Sequence, residues 1–533
     1  MQIVIPMSGF GERFRRAGHT VPKPLVRIEG KTIIEHVVDM FPGDNYFIFI
    51  CNKDHLASTD MNDVLHSICA GKKYKIVPID SHKLGPVYAV SKAFEFINVE
   101  EPIIVNYCDF TCYWNFNDFK QWTQENNCDG ALPSYKGFHP HSLGNTNYAY
   151  IRENNFVFEA IKEKEPFTDD RMNEFASSGT YYFARGSYVI KYFRALMDKN
   201  INLNGEFYCS LVYNLMYEDG LQSQVYELEH FMQWGTPEDV QEYNHWSSIF
   251  HRLHKHNIQS FSKSYPSRSS NPLTGTNVMT MAGLGSRFTK EGYLLPKPLL
   301  PVNQSLMFVE AFCSLPPAEQ SSFVIRSKYG SDIAKALDNL NLGSVSLNSI
   351  DEPTSGQSLT AKLALSSCIP DKPVTITSCD HAVLFDHEKF KNLTDQKCDV
   401  IVWGFKNYYS AVRNPKMYGW VGVNDDSSII RVNVKDLPSN LTQDYVITGT
   451  FTFKSPEILS KLIDLQVANQ NKINGEYYID SAIDEAIKLG LNCKVFEVSN
   501  YICWGTPNEL KTYEYWQSCF SKWSSHDYKL ISN

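Results

Sequence analysis

"QIVIPMSGFGERFRRAGHTVPKPL", residues Gln2–Leu25, joins a short apolar run to a glycine loop and then to a lysine between two prolines. A continuous apolar run such as QIVIP is what a strand buried on both faces requires. Gly9 and Gly11, just after Ser8, let the backbone turn sharply and approach a ligand with no Cβ in the way. Consecutive exposed N–H groups in such a loop form a nest for an anion. Arg13 adds a forked cation suited to phosphate oxygens, and Lys23 adds a mobile point charge. Pro22 and Pro24 restrict the backbone that presents that lysine. Together these parts suit the polyphosphate of a nucleoside triphosphate. A P-loop would need GxxxxGK[ST], which is missing here. A dinucleotide fingerprint would need GxGxxG, but its third glycine is replaced by Phe14.

The same statement returns as "AGLGSRFTKEGYLLPKPL", Ala282–Leu299, with Gly283, Gly285, Arg287 and Lys297 in the equivalent places. Further landmarks follow in order. PIIVNYCDF (102–110) answers PVTITSCDH (373–381), and SGTYYF (178–183) answers TGTFTF (448–453). NGEFY (204–208) answers NGEYY (474–478), WGTPEDV (234–240) answers WGTPNEL (504–510), and YNHWSSIF (243–250) answers YEYWQSCF (513–520). Gly283 lies 274 residues after Gly9, Asp380 lies 271 after Asp109, and Gly505 lies 270 after Gly235. A nearly constant offset means duplication of a whole domain, because a solenoid repeat would be far shorter. Two domains are also what 533 residues lead one to expect.

Each copy alternates strand and helix signals. KTIIEHVVDMF places Ile33, Ile34, Val37, Val38 and Phe41 on one helical face, and YFIFIC and PIIVNYC read as further strands. The expected fold class is α/β, with two tandem Rossmann-like domains, each on a mostly parallel central sheet. In such sheets ligands bind beyond the carboxyl ends of the strands, where both the glycine loop and Asp109 fall. The expected division is a first domain over 1–254, a linker over 255–276 rich in Ser, Asn and Pro, and a second domain over 277–533. HRLHKH, ahead of that linker, reads as a solvated helix end.

Hydrophobic residues make up 43% and charged residues 20%, the balance of a globular protein. A formal charge of −9 gives no basic footprint, so nucleic acid is not the expected partner. No run is long and apolar enough for a membrane span, and the amino terminus carries no secretory pattern. The 13 cysteines are scattered without a CxxC pair, so neither a zinc site nor a disulfide framework is expected. A cytoplasmic location is the simplest expectation.

GxGxRF followed by PKPL, twice, resembles the nucleotidyltransferases that activate sugar 1-phosphates, the nucleoside-diphosphate-sugar pyrophosphorylases. The related phospho-alcohol cytidylyltransferases share the pattern. The resemblance covers nearly all of both copies and implies nucleotidyl transfer to a sugar 1-phosphate or phospho-alcohol, with pyrophosphate released. Activated precursors for surface glycans, capsule or lipopolysaccharide, are the expected products. It implies that Ser8, Gly9, Gly11, Ala282, Gly283 and Gly285 hold the triphosphate, and that Arg13, Lys23, Arg287 and Lys297 neutralise its charge. It implies base recognition around Gly85 in KLGPVYA and around Gly356 and Gln357 in TSGQSLTA. Asp109 and Asp380 would hold Mg²⁺. Glu163 and Lys164 match the family's EK motif for the acceptor, whereas in the second copy Lys435 follows Val434 in place of the acid. Gly179 and Gly449 would lie near the sugar.

One departure stands out. The family often has a second metal-binding aspartate before the xGT segment, and here Gln233 and Cys503 stand there. Glu206 and Glu476 are candidates for that contact, although the first reading of each is a helix-start residue beside an Asn cap. His139 and His141 read as loop or substrate contacts, the aromatic residues of YNHWSSIF and YEYWQSCF as core, and Cys108 and Cys379 as buried structural thiols. Two competing functions remain: a catalytic copy joined to a regulatory nucleotide-binding one, and a glycosyltransferase. The second would carry a DxD-type motif, which neither CDFTCYW nor CDHAVLF offers.

Overall fold

A computed structural model describes the chain except for residues 269–271, 339, 341, 397 and 531–533. Two compact units emerge. The first comprises Met1–Asn244 with Ser518–His526, and the second comprises His245–Gln517 with Asp527–Asn533.

In the first unit, strand Gln2–Met7 lies between Tyr46–Asn52 and Ile103–Asn106, parallel to both, and Lys73–Ile79 continues the parallel edge. Ile3, Val4 and Ile5 are fully buried, which is why this run is apolar at every position rather than at alternate ones. Beyond Ile103–Asn106 the sheet changes sense: Thr180–Phe183 runs antiparallel to it and to Gly130–Tyr135. A hairpin of Ala149–Asn154 and Val157–Glu163 extends the far side. Helix Ile33–Asp39 buries Ile33, Ile34, Val37 and Val38 as expected, with Phe41 buried just past its end, and Thr32 and Glu35 close a capping box at its start.

The second unit repeats this plan. Leu273–Thr280 is parallel to both Ala318–Arg326 and Val374–Ser378, and Ser344–Ile350 forms the parallel edge. Tyr445–Phe453 is the antiparallel insertion, and Gly419–Val423 with Ile429–Val434 makes the hairpin. The expected α/β class thus holds in each unit, as a mixed sheet with a parallel core.

Two short ribbons position the site. Phe110–Tyr113 pairs antiparallel with His230–Gln233, and His381–Leu384 pairs likewise with Asn500–Cys503. They bring the late WGT segments back to the central aspartates. The Trp234 N–H donates to the Asp109 carbonyl at 2.8 Å, and the Trp504 N–H donates to that of Asp380 at 2.7 Å.

The aromatic repeat segments are core, as expected. Tyr243 packs edge-on against Phe520, Trp523 lies beside His36 and Trp234, and Phe520 is fully buried. In the second unit Trp246 donates its ring N–H to the Tyr409 hydroxyl at 2.9 Å, and Phe250 stacks on Tyr513. HRLHKH falls at the end of helix Pro237–Lys255, with most of its residues exposed.

The segment expected to be linker differs. It carries helix Phe261–Arg268, with Phe261 and Tyr265 buried one turn apart. The buried Glu310 carboxylate receives the Phe261 N–H at 2.9 Å and the Ser262 hydroxyl at 2.8 Å, tying down the helix start. Two apolar residues among serines were too few to register as a helical period. Residues 269–271 of that segment lie outside the described residues. Among the described residues no helix is long and apolar enough to cross a membrane.

Candidate functional site

Asp109 stands just past the end of strand Ile103–Asn106, and its carboxylate receives Lys23 Nζ at 2.8 Å. Lys23 opens a one-turn helix, Lys23–Leu25, and the two side chains are 23% and 28% exposed, so the pair faces an opening while most of it is covered. Burial alone would lower the lysine pKa, but the adjacent carboxylate outweighs it and holds the ammonium charged above its usual range. Lys297 and Asp380 repeat the pair, with the second carboxylate oxygen taking the Ser378 hydroxyl at 2.6 Å. Burial opposes the Asp380 charge, yet Lys297 and a hydrogen bond from His381 hold the carboxyl well below its ordinary range. Arg13 and Arg287 are exposed on the short helices that follow Gly11 and Gly285. Arg13 lies close enough to Lys23 to repel its charge. Ser8 is buried beneath the loop, 3.2 Å from His82 Nε2, and Ala282 is likewise buried, while a Cβ on Gly9 or Gly283 would meet open space.

Lys164 and Lys435 end the hairpins of their units, and Lys435 lies close enough to Arg287 to feel its charge. Both lysines have left-handed backbones, with φ of 59° and 54°, and each donates its N–H across the hairpin, to Tyr148 O at 2.9 Å and to Tyr418 O at 3.1 Å. A strained residue of this kind needs the surroundings to hold it. Lys164 Nζ donates to the Tyr208 hydroxyl at 2.5 Å, and Lys435 Nζ lies 5.9 Å from the Tyr478 ring centre and donates to Met417 O. Glu163 sits beside Lys164 and accepts the Ser210 hydroxyl at 2.5 Å, and burial pushes its carboxyl up to about 7.

Gly85 and Gly356 have φ of 83° and 120°. A Cβ on Gly85 would stand 2.7 Å from the backbone N and O of Phe207, and one on Gly356 would stand 2.5 Å from those of Tyr477. These glycines therefore let the loop expected to read the base lie directly on the NGE[FY]Y segment. Gln357 donates to the Thr280 hydroxyl at 3.1 Å. Gly179 lies beside Tyr107, two residues before Asp109, and Gly449 lies beside His381 and Ser378, next to Asp380.

Glu206 and Glu476 are not helix-start residues. Each closes a tight turn: the Glu206 N–H donates to Leu203 O at 3.0 Å, and Asn204 and Gly205 both have positive φ. The Asn-Gly pair is a turn signal that outweighs the capping reading. The Glu206 carboxylate accepts the Tyr208 hydroxyl. His139 is buried between Tyr135 and His141, and burial pushes its pKa down to about 3, so it is neutral. Burial pushes the Cys108 thiol up to about 11 and that of Cys379 up to about 12, which suits structural thiols and not nucleophiles.

A magnesium ion needs hard oxygen donors. A Cβ at Gly505 would fall 3.2 Å from Glu509 Oε2, 3.3 Å from Cys503 Sγ and 3.4 Å from Asp380 Oδ2, so bare glycine keeps open a cradle lined by two carboxylates and a thiol. The two carboxylates are donors of the kind that ion takes, while Lys297 donates to the same Asp380 oxygen. At Gly235 the corresponding point faces Asp109 Oδ2 at 3.4 Å and the amide Nε2 of Gln233 at 3.2 Å. Here Asp239, the counterpart of Glu509, accepts that amide at 2.9 Å and the Thr236 N–H at 2.8 Å, closing the helix start instead. Glu509 escaped the sequence reading. Its signal was an acid shared four residues after the glycine in WGTPED and WGTPNE.

Residues 3–160 match the MobA-like NTP transferase domain family, and residues 277–511 match the nucleotidyl transferase family. The chain is 24% identical over 248 residues to the mannose-1-phosphate guanylyltransferase catalytic subunit beta of Danio rerio, covering 45% of this chain and 62% of that protein. The Dictyostelium discoideum protein of the same name is 24% identical over 189 residues, covering 34% of this chain and 49% of that one. The match thus spans less than two thirds of either relative. Among solved structures, a nucleoside-diphosphate-sugar pyrophosphorylase from Vibrio cholerae RC9 has 23% identity and a TM-score of 0.39, covering 45% of this chain and 98% of its own. The inositol-1-phosphate CTP transferase from T. maritima has 15% identity and a TM-score of 0.37, covering 45% and 94%. With a glycine loop, a paired lysine and aspartate, and a nucleotidyltransferase family match in each half, this chain carries two nucleotidyltransferase-type domains in tandem.

Proposed function

We propose that each unit transfers a nucleotidyl group from a nucleoside triphosphate to a sugar 1-phosphate or phospho-alcohol. A phosphate oxygen of the acceptor attacks the α-phosphorus in line. The bond from that phosphorus to the bridging oxygen of the β-phosphate breaks, and pyrophosphate leaves with the electron pair. The acceptor is already an anion, so no general base is needed. The chain's work is to hold two polyanions together and neutralise them. Lys23 and Arg13 meet the triphosphate, and Lys164 meets the acceptor phosphate from the opposite element. Lys297, Arg287 and Lys435 have these parts in the second unit. Asp109, and Asp380 with Glu509, would hold Mg²⁺, which when bound supplies further positive charge to the phosphates.

The observation that carries this reading is the lysine–aspartate pair at a strand tip, built twice, with Arg13 near Lys23 in the first unit and Arg287 near Lys435 in the second. The units agree at these positions and differ at the loops around them, which supports two working sites with different acceptors. The product carries its sugar on a nucleotide leaving group, so a glycan-assembling transferase would consume it. We read surface polysaccharide, capsule or lipopolysaccharide, as the destination and the cytoplasm as the place of synthesis.

The test is pyrophosphate release from the four ribonucleotides and dTTP against a panel of sugar 1-phosphates and phospho-alcohols, with Lys23→Ala and Lys297→Ala beside the unaltered chain. One substrate pair should be lost with Lys23 and another with Lys297. If neither change affects any transfer, the reading fails.

A further inference from the structure

The second unit lacks the acid of the EK motif, because Val434 stands where the first unit has Glu163. Two other positions change with it. Glu163 pairs across its hairpin with Ala149 and accepts a hydrogen bond from Ser210. Val434 pairs across its hairpin with Gly419, and the residue equivalent to Ser210 is Asp480, in the first turn of helix Ile479–Lys488. Alanine, glutamate and serine in one copy thus become glycine, valine and aspartate in the other.

The three changes are sterically linked. A Cβ at position 419 would fall directly on Asp480 Oδ2 and 3.1 Å from its Cγ. Loss of the alanine methyl therefore admits the Asp480 carboxylate to the place beside the hairpin. Valine at 434 removes the carboxylate that would otherwise repel it. An acid beside the hairpin lysine is thus kept in both units, with its origin moved from strand to helix.

The electrostatic setting is also kept. Glu163 lies close to Lys164 and Glu206, and Asp480 acts on Lys435 and Tyr478. Burial pushes the Asp480 carboxyl up to about 6, with Lys435 pulling the other way, as burial pushes up Glu163. Among the described residues no side chain donates a hydrogen bond to Asp480, whereas Glu163 has Ser210. A carboxylate in this state, beside a phosphate-binding cation, is an acceptor awaiting donors.

Resting on the nucleotidyl-transfer reading, we propose that Asp480 is the acceptor-binding acid of the second unit, receiving hydrogen bonds from hydroxyl groups of a phosphorylated sugar or polyol whose phosphate lies on Lys435. A short cationic phospho-alcohol such as phosphocholine fits less well. Its ammonium would be held close to its own phosphate, and so close to Lys435 and Arg287, which repel it.

The test uses the full chain and a transfer reaction abolished by Lys297→Ala. Asp480→Asn should raise the KM for the hydroxylated acceptor at least tenfold, with the KM for the nucleotide and kcat changed less than threefold. Gly419→Ala should act in the same direction by displacing the carboxylate. The double variant Val434→Glu with Asp480→Ser, which restores the glutamate and serine of the first unit, should recover the acceptor KM to within threefold of the unaltered chain. An unchanged acceptor KM in Asp480→Asn overturns the proposal, as does an equal loss for nucleotide and acceptor, no recovery in the double variant, or phosphocholine as the preferred acceptor. If no transfer responds to Lys297→Ala, the nucleotidyl-transfer reading of this unit has failed separately. Equilibrium binding of the acceptor panel, measured in a Lys164→Ala background, then decides the matter. Tenfold weaker binding of a hydroxylated phosphate in Asp480→Asn upholds the assignment, and unchanged or undetectable binding overturns it.

Discussion

A fragment ending near residue 250 is the obvious way to isolate the first repeat, yet the first compact unit also includes Ser518–His526. In that segment Phe520 is fully buried and Trp523 is 7% exposed, and their neighbours Trp234 and Tyr243 are fully buried. Burying a large apolar side chain contributes about 1.5–3 kcal/mol, so losing these two costs roughly 3–6 kcal/mol. For a fragment of this size each kcal/mol moves the melting temperature by about 2–4 °C, which leads to an expected deficit on the order of 10 °C. The assay is thermal unfolding of residues 1–250 alone and of the same fragment carrying 518–526 on a flexible Gly/Ser linker. The extended fragment should melt on the order of 10 °C higher and bind less of a dye that reports exposed apolar surface. Melting within 2 °C of the bare fragment would refute the reasoning, because the aromatic cluster would then contribute nothing to the first unit.

Arg13→Ala and Lys23→Ala should each reduce first-unit turnover by tenfold or more. Arg13 is exposed, so its loss should leave the melting curve in place, whereas Lys23→Ala unpairs Asp109 and should cost about 1 kcal/mol; steady-state rates beside melting curves check both. Mn²⁺ binding followed by electron paramagnetic resonance should fall severalfold in Glu509→Gln, while Asp239→Asn leaves it nearly unchanged, since the Asp239 carboxylate is engaged at its helix start; equal effects would count against the open cradle. Burial raises the Glu163 carboxyl from 4.5 to about 7, so between these values the folded chain keeps a proton that the unfolded chain has released. Stability should therefore fall as pH rises from about 4.5 to about 7 and level off above, and Glu163→Gln should flatten that slope in denaturant midpoints taken across the range.

Much of this protein was legible in its sequence because the signals were local and written twice. The apolar run of Gln2–Met7, the glycine loop and the PKPL segment each depend on a few consecutive residues, so motif and fold could be read together. The aspartates were legible for the same reason, standing at the end of recognisable strands. The helix over Phe261–Arg268 was not, because its two apolar anchors are held by Glu310, a distant residue that no periodicity reveals. The turn holding Glu206 was misread because one Asn-Gly pair serves both as cap and as turn, and the backbone decides between them.

The duplication, the glycine loops and the repeated places of the arginines and lysines were legible in the sequence alone, since each is a property of short stretches compared with their own copies. Whether an acid missing from a motif is truly missing was decided only by the tertiary structure. Val434 and Asp480 are 46 residues apart in the chain, and Cys503 and Glu509 sit in different elements. A carboxylate acts through its position in space, and any element that reaches the same point, past a glycine that leaves room for it, can deliver the charge.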